Sequence, residues 1–237
     1  MNDSLSTVLT YVMIPVVVTI IGGIIAAYKS PGEKTRITVQ HFAAGVVFAA
    51  VALELLPELV TNLKLLPLII GFSSGVALML IVRKVSKKIE GAGGSGGLVI
   101  ASGVDVFIDG LLIGVSFDVG LKAGIIITIA LAIELLFLAL SVASTLAKEG
   151  KSKLRIIGTT IALSLLVLIG ATIGGTLLQG IHSSGLEGII AFAVAALLYL
   201  VTEELLVEAH KENKDSAFAT TMFFVGFLIV LILESLA

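Results

Sequence analysis

The feature that most restricts the fold is a series of eight apolar stretches separated by short polar connections. Each stretch is long enough to cross the roughly 30 Å hydrocarbon core of a bilayer as an α-helix. Because lipid offers no water to backbone N–H and C=O groups, such stretches fold as helices and pack together. We number them spans one to eight in chain order, and they cover approximately residues 7–28, 37–60, 66–82, 98–117, 123–147, 156–178, 186–209 and 217–236.

The short connections place consecutive spans side by side in opposite directions. The sequence therefore predicts an all-α integral membrane protein, an eight-transmembrane helix bundle in a single domain over residues 1–237. The composition is 57% hydrophobic and 14% charged, whereas soluble domains average about 45–50% and 25%. We expect lipid around the bundle and no bound nucleic acid. The chain has no cysteine, which excludes disulfides and thiolate metal ligands.

The basic residues predict the orientation. The connections after spans one, three, five and seven hold every Lys and Arg except Lys64 and Lys122. Basic connections remain cytoplasmic, so we expect a multi-pass protein of the cell membrane with both termini extracytoplasmic. The longest connection, residues 84–97, ends in a Gly- and Ser-rich run that is typical of a flexible linker.

Several acids lie inside the apolar spans, and no basic residue in those stretches neutralises them. An acid at the centre of a membrane helix costs roughly 2.5 kcal/mol or more, so a repeated pattern indicates a function. Three pairs are spaced four residues apart, which places both members on one helix face. The acids are Glu54 and Glu58 in span two, Asp105 and Asp109 in span four, Glu134 in span five, and Glu203, Glu204 and Glu208 in span seven.

Three of these acids are predicted to form a central site. With a rise of 1.5 Å per residue, Asp105 and Asp109 lie roughly 10 and 16 Å from the inner end of span four, and Glu134 lies roughly 16 Å from the outer end of span five. All three are therefore near mid-membrane on consecutive helices. The alternative is that they are protonated structural acids that hydrogen-bond to backbone.

The remaining acids are candidate path residues on either side of that centre. Glu54 and Glu58 lie toward the outer end of span two, although Glu58 can also be a surface residue that reaches the interface. Toward the inner ends lie His41 in span two, which can also be interfacial, and three acids of span seven, Glu203, Glu204 and Glu208.

A site built from carboxylates alone favours hard divalent cations, because oxygen ligands suit Mg²⁺, Mn²⁺ and Ca²⁺ whereas imidazole suits Zn²⁺, Cu²⁺ and Fe²⁺. The central acids have neither histidine nor cysteine beside them. We expect weak binding and fast exchange, which suit a transported ion rather than a resident cofactor.

The spans and motifs resemble those of the ZIP (Zrt-, Irt-like) family of metal transporters, in a form similar to a divergent prokaryotic subgroup. The resemblance covers most of the chain. The matching elements are His41-Phe-Ala-Ala-Gly45 through Leu55-Leu-Pro57-Glu58 in span two, Asp109-Gly110-Leu-Leu-Ile-Gly114 in span four, Glu134 at the acid of the span-five motif, and Tyr199-Leu-Val-Thr-Glu-Glu-Leu-Leu-Val-Glu-Ala-His210 in span seven.

The sequence departs from the family pattern at several ligand positions. Asp105 and Val106 stand where the span-four motif begins His-Asn, and Ile133 and Leu136 replace the His and Pro of the span-five motif. Phe137 occupies a further ligand position. The resemblance therefore implies Asp105, Asp109 and Glu134 as metal ligands, without a two-metal centre and with less preference for zinc.

These observations predict a transporter of divalent metal cations, not an enzyme, whose intramembrane site is lined by carboxylates. The resemblance implies zinc, while manganese or iron stay open, as does a homodimer. One alternative is a proton-coupled carrier of organic cations, which would need an aromatic cage; the chain has no Trp and three Tyr. The other alternative is a non-transporting membrane scaffold, which would leave the buried acids unexplained.

Overall fold

The computed structural model describes residues 2–29, 32–61, 64–93, 95–177, 183–207 and 217–236. In these ranges all regular structure is helical, and eight helical segments are long and apolar enough to cross a membrane. The eight predicted spans are thus confirmed. The helices are Asn2–Tyr28 in span one, Glu33–Ala50, Val51–Leu55 and Leu56–Thr61 in span two, Leu65–Gly93 in span three, Ser95–Val119 in span four, Leu121–Lys148 in span five, Lys153–Leu177 in span six, Ser183–Tyr199 and Leu200–Leu205 in span seven, and Ala217–Leu236 in span eight.

The predicted flexible linker at residues 84–97 is wrong. The helix of span three continues through it to Gly93, and the helix of span four begins at Ser95. Residues 84–90 include three lysines and a glutamate, which have high helix propensity and extend the helix beyond its apolar part. The helices of spans three and four are therefore separated by Gly94 alone, which lies outside the described residues.

The spans pack as two groups. Spans one, four, five and six make their most extensive contacts with one another, and we call them the first helix group. The other four spans form two tightly packed pairs, span eight along span two and span seven along span three, and we call these two pairs together the second helix group. Between the groups, span five packs on span two and span four on span three.

Glycines bring helix backbones together inside each group. A methyl group on Gly110 of span four would overlap the carbonyl oxygen of Val167, and one on Gly174 of span six would overlap that of Leu111. In the second group, a methyl group on Gly45 would overlap the carbonyl oxygen of Phe223 in span eight. Throughout the described residues, the backbones that approach a glycine this closely belong to its own group. The first group and each pair of the second group are therefore tightly packed internally.

Polar contacts mark the two ends of the bundle. Lys64 pairs with Glu187 at 2.9 Å, and Lys122 pairs with Glu234 at 2.6 Å. Both pairs lie at the end where the chain begins and finishes, which we call the terminus side. At the opposite end, the basic side, Arg83 pairs with Glu203 and Lys153 lies over the ring of Tyr28, 4.1 Å from its centroid.

Candidate functional site

Two buried acids face each other near the middle of the first helix group. Asp109 is 3% exposed and Glu134 is 4% exposed, and their carboxyl groups lie within hydrogen-bonding distance of each other. Asp109 is roughly 20 Å from the start of span four, and Glu134 is a similar distance from the start of span five, which runs in the opposite direction. The structure therefore brings together two of the three predicted central residues.

A carboxylate can only accept hydrogen bonds. Two carboxylates at this distance repel each other strongly when buried, so either one carries a proton or a cation lies between them. Oδ2 of Asp109 is buried, and no donor in the described part of the chain reaches it. The pair is therefore an arrangement that accepts positive charge.

Asp105 lies one turn from Asp109 on span four and is close enough to act on it electrostatically. It is only partly buried. Among the described residues, no group of three or more His, Asp and Glu side chains is arranged to hold a metal ion. In this conformation the expected three-ligand cluster is thus reduced to a close pair, with Asp105 as a neighbouring charge.

Packing between spans four and six fixes the position of Asp109. The next residue, Gly110, lies directly against the backbone of Val167 and Gly170. With no side chain at Gly110, span four approaches span six closely. This contact fixes the position of Asp109, the preceding residue, in the first helix group. Nearby buried hydroxyls donate within their own helices, Ser116 to the carbonyl of Ile113 and Thr128 to that of Gly124.

Two π-helical turns occur in the second helix group, and both carry predicted path residues. Val51–Leu55 contains Glu54, and Leu200–Leu205 contains Glu203 and Glu204. Such turns are rare and frequently lie at functional sites, because they shift the face on which later side chains point. In span two, Pro57 follows the turn and cannot donate to the carbonyl four residues before it, which supplies a local cause.

A basic residue from outside the predicted spans reaches one of the span acids, Glu203. Arg83, at the basic side of span three, makes an ion pair with Glu203 and donates to the hydroxyl of Tyr199 at 3.4 Å. The long side chain of Arg83 reaches from span three to span seven. The sequence of either span alone does not predict this contact. Glu203 thus joins spans three and seven.

The other predicted path residues are placed as follows. Glu58 lies one turn beyond Glu54 and is half-buried. His41 is 1% exposed, and its Nδ1 lies 3.0 Å from the carbonyl oxygen of Ile37, so its side chain is buried inside the helix bundle. The side chain of Glu204 and the whole of Glu208 lie outside the described residues.

Two acids outside the predicted set are also engaged. Glu234, near the end of span eight, lies within hydrogen-bonding distance of Glu54 and accepts from Lys122. Glu187, near the start of span seven, is 7% exposed and paired with Lys64. The sequence signal for both was an acid at a span end with a lone lysine, Lys64 or Lys122, at the same side.

A comparison with known families agrees with the membrane fold. The family model described as ZIP Zinc transporter matches residues 91–234, which include spans four to seven and most of span eight. No curated protein gives a significant match to the chain. The matched region contains Asp105, Asp109 and Glu134. The chain is a multi-pass membrane protein that belongs to the ZIP zinc transporter family.

Proposed function

We infer that this protein carries a divalent metal cation across the membrane by binding it between Asp109 and Glu134, with Asp105 as an additional ligand or neighbouring charge. Family membership supports divalent metal transport. The observation that carries the assignment of the site is the close approach of two buried carboxyl groups from neighbouring spans. A divalent cation between them would satisfy both charges at once.

The ligand chemistry favours a small inorganic ion over an organic cation. Carboxylate oxygens are the ligands that hard divalent ions prefer. An organic cation would require aromatic faces around it, and the chain has no Trp. Without imidazole in the central pair, Mn²⁺ is a candidate beside the Zn²⁺ that the family implies, and Fe²⁺ stays open.

The two helix groups suggest how the ion crosses. Asp109 and Glu134 both belong to the first helix group, so a movement of this group against the second would carry the site intact. Glycine contacts hold the spans of the first group together and join the members of each pair in the second group, whereas no glycine of the described residues brings backbones of different groups together in this way. Relative movement of two helix bundles is a general way in which such carriers expose a site to one side of the membrane and then to the other.

The charges on the two sides define a path. With the terminus side extracytoplasmic, ions enter past Glu54 and Glu58, lose water at the central pair, and leave past Glu204 and Glu208 together with His41. The basic connections then face the cytoplasm, in agreement with the positive-inside rule.

Uptake by the purified protein in liposomes tests this function. We expect saturable initial uptake of at least one ion from a panel of Zn²⁺, Mn²⁺, Fe²⁺, Co²⁺, Mg²⁺ and Ca²⁺, with protein-free liposomes as the control. An excess of tetraphenylphosphonium should not compete. Competition by that cation would favour an organic-cation carrier, and no uptake of any divalent ion by correctly folded protein would favour a scaffold.

A further inference from the structure

A second close pair of carboxyl groups lies at the terminus side. Glu54, in the π-helical turn of span two, is within hydrogen-bonding distance of Glu234 near the end of span eight. Oε1 of Glu54 and Oε2 of Glu234 are both buried, and no donor among the described residues reaches either oxygen. Both acids belong to the second helix group, where Gly45 and Gly226 hold span two against span eight.

A lysine from the other group supplies positive charge to this pair. Nζ of Lys122 donates to Oε1 of Glu234 at 2.6 Å, and it also acts electrostatically on Glu54. Lys122 lies in the first turn of span five, the helix that carries Glu134. The contact thus connects the group that holds the central carboxyl pair to the group that holds Glu54.

This placement differs from that of the other long-range contacts between charged or aromatic side chains described above. Lys64 with Glu187 and Arg83 with Glu203 both lie inside the second group. Lys153 with Tyr28 lies inside the first group. The pair of Lys122 and Glu234 bridges the two groups, and it does so where the proposed path begins.

We propose that Lys122, Glu234 and Glu54 form a gate on the terminus side, whose ion pair closes the path between the two helix groups in this conformation and breaks each time the path opens to that side. Glu54 positions Glu234, and Lys122 is the movable member. This gate rests on the proposed transport function, because the ion pair defines the closed state of the proposed movement between the two groups. Ion pairs that break and re-form at such an interface are a common way to make two arrangements discrete.

Cross-linking tests whether the contact breaks during transport. The chain has no cysteine, so Lys122→Cys/Glu234→Cys can be joined by a short bifunctional, reducible thiol reagent without background reaction. We expect uptake to stop when the two positions are joined and to return after reduction. The matched control is Lys64→Cys/Glu187→Cys, an ion pair at the same end but within one group, which should transport equally before and after joining. Undiminished uptake by the joined 122–234 protein would overturn the gate.

A second measurement tests the gate without any metal ion. Ser116 is 2% exposed and lies two turns from Asp109 toward the terminus side, on the same face of span four. Ser116→Cys should react slowly with a membrane-impermeant thiol reagent added at the terminus side. Adding Lys122→Gln or Glu234→Gln should raise this rate about two- to fivefold, the shift expected from losing a partly exposed ion pair.

The controls separate the gate from general loosening and from failure of the transport proposal. Glu187→Gln, which breaks the pair within one group, should leave the labelling rate of Ser116→Cys unchanged, and the charge swap Lys122→Glu/Glu234→Lys should restore slow labelling. Faster labelling with rescue supports the gate even if no tested ion is transported. Equal rates in all variants of a folded protein would overturn the gate even if transport is normal.

Discussion

Replacing Gly110 by alanine should destabilise the protein and displace its central acid, whereas the same replacement at Gly103 should not. Both glycines lie on span four and face span six. A Cβ at Gly110 would overlap the backbone of Val167 and Gly170, which cannot turn aside. A Cβ at Gly103 would lie 3.2 Å from Cδ1 of Leu166, the mobile end of a side chain.

The structure permits an estimate of the difference. Forcing extra volume into a packed interior costs about 1–3 kcal/mol, and the gain in helix propensity from Gly to Ala offsets up to about 1 kcal/mol. Because the overlap at Gly110 is with backbone atoms, we take the upper half of the packing cost, about 2–3 kcal/mol, and after the gain in propensity we expect Gly110→Ala to lose about 1–2 kcal/mol. For a chain of this size each kcal/mol lowers Tm by roughly 2–4 °C, so the expected decrease is about 2–8 °C. Gly103→Ala should keep or slightly raise Tm, since it gains the same helix propensity without the clash.

Thermal unfolding of the purified protein in one detergent measures this difference. Uptake per folded molecule should also fall for Gly110→Ala, because span four moves away from span six and carries Asp109 with it. If both variants unfold at the same temperature, the close backbone contact at Gly110 does not exist in the protein, and the reasoning about how Asp109 is positioned fails.

Three further predictions concern the ion and the orientation. Asp105→His should shift the preference among divalent ions toward Zn²⁺, because imidazole is a ligand that zinc favours. If the divalent ions keep the same order of uptake rates, Asp105 does not contact the transported ion. Raising the proton concentration on the entry side should slow initial uptake, since protons and metal ions compete for the same carboxylate oxygens, and faster uptake at lower pH would contradict that competition. Single cysteines at Lys87 and Lys151 should react with impermeant reagents only from the cytoplasmic side, and labelling from outside would reverse the proposed orientation.

The spans and the central acids were predictable because each depends on local properties of the chain. Twenty apolar residues in a row are sufficient for a membrane helix, and an acid within them stands out by its desolvation cost. The depth of Asp109 and Glu134 follows from the helical rise alone, and their close approach agrees with that estimate.

Contacts between spans were less predictable, because they depend on how each helix is rotated about its axis and on which helices become neighbours. The sequence does not indicate that Arg83 pairs with Glu203 of span seven. It also does not indicate that Glu234, near the end of span eight, pairs with Lys122 of span five. No proline follows the π-helical turn at Leu200–Leu205, so the sequence does not predict this turn. The glycine-rich residues at the end of the connection predict a flexible linker, whereas the lysines and glutamate before them favour the helix that continues to Gly93.

The most direct test of the account compares initial uptake per folded molecule for the native protein, Asp109→Asn, Glu134→Gln and the control Glu187→Gln, which alters a buried carboxylate away from the path. A carboxylate charge about 4 Å from the ion contributes roughly 4 kcal/mol per ion charge at an effective dielectric of 20. Losing only half of this energy, about 2 kcal/mol, would lower the affinity for the ion about thirtyfold. Both central variants should therefore fold and lose at least thirtyfold in uptake rate at low ion concentration, while the control keeps its rate. Normal uptake by Asp109→Asn across the divalent panel would contradict the central claim that this carboxyl pair binds the transported ion.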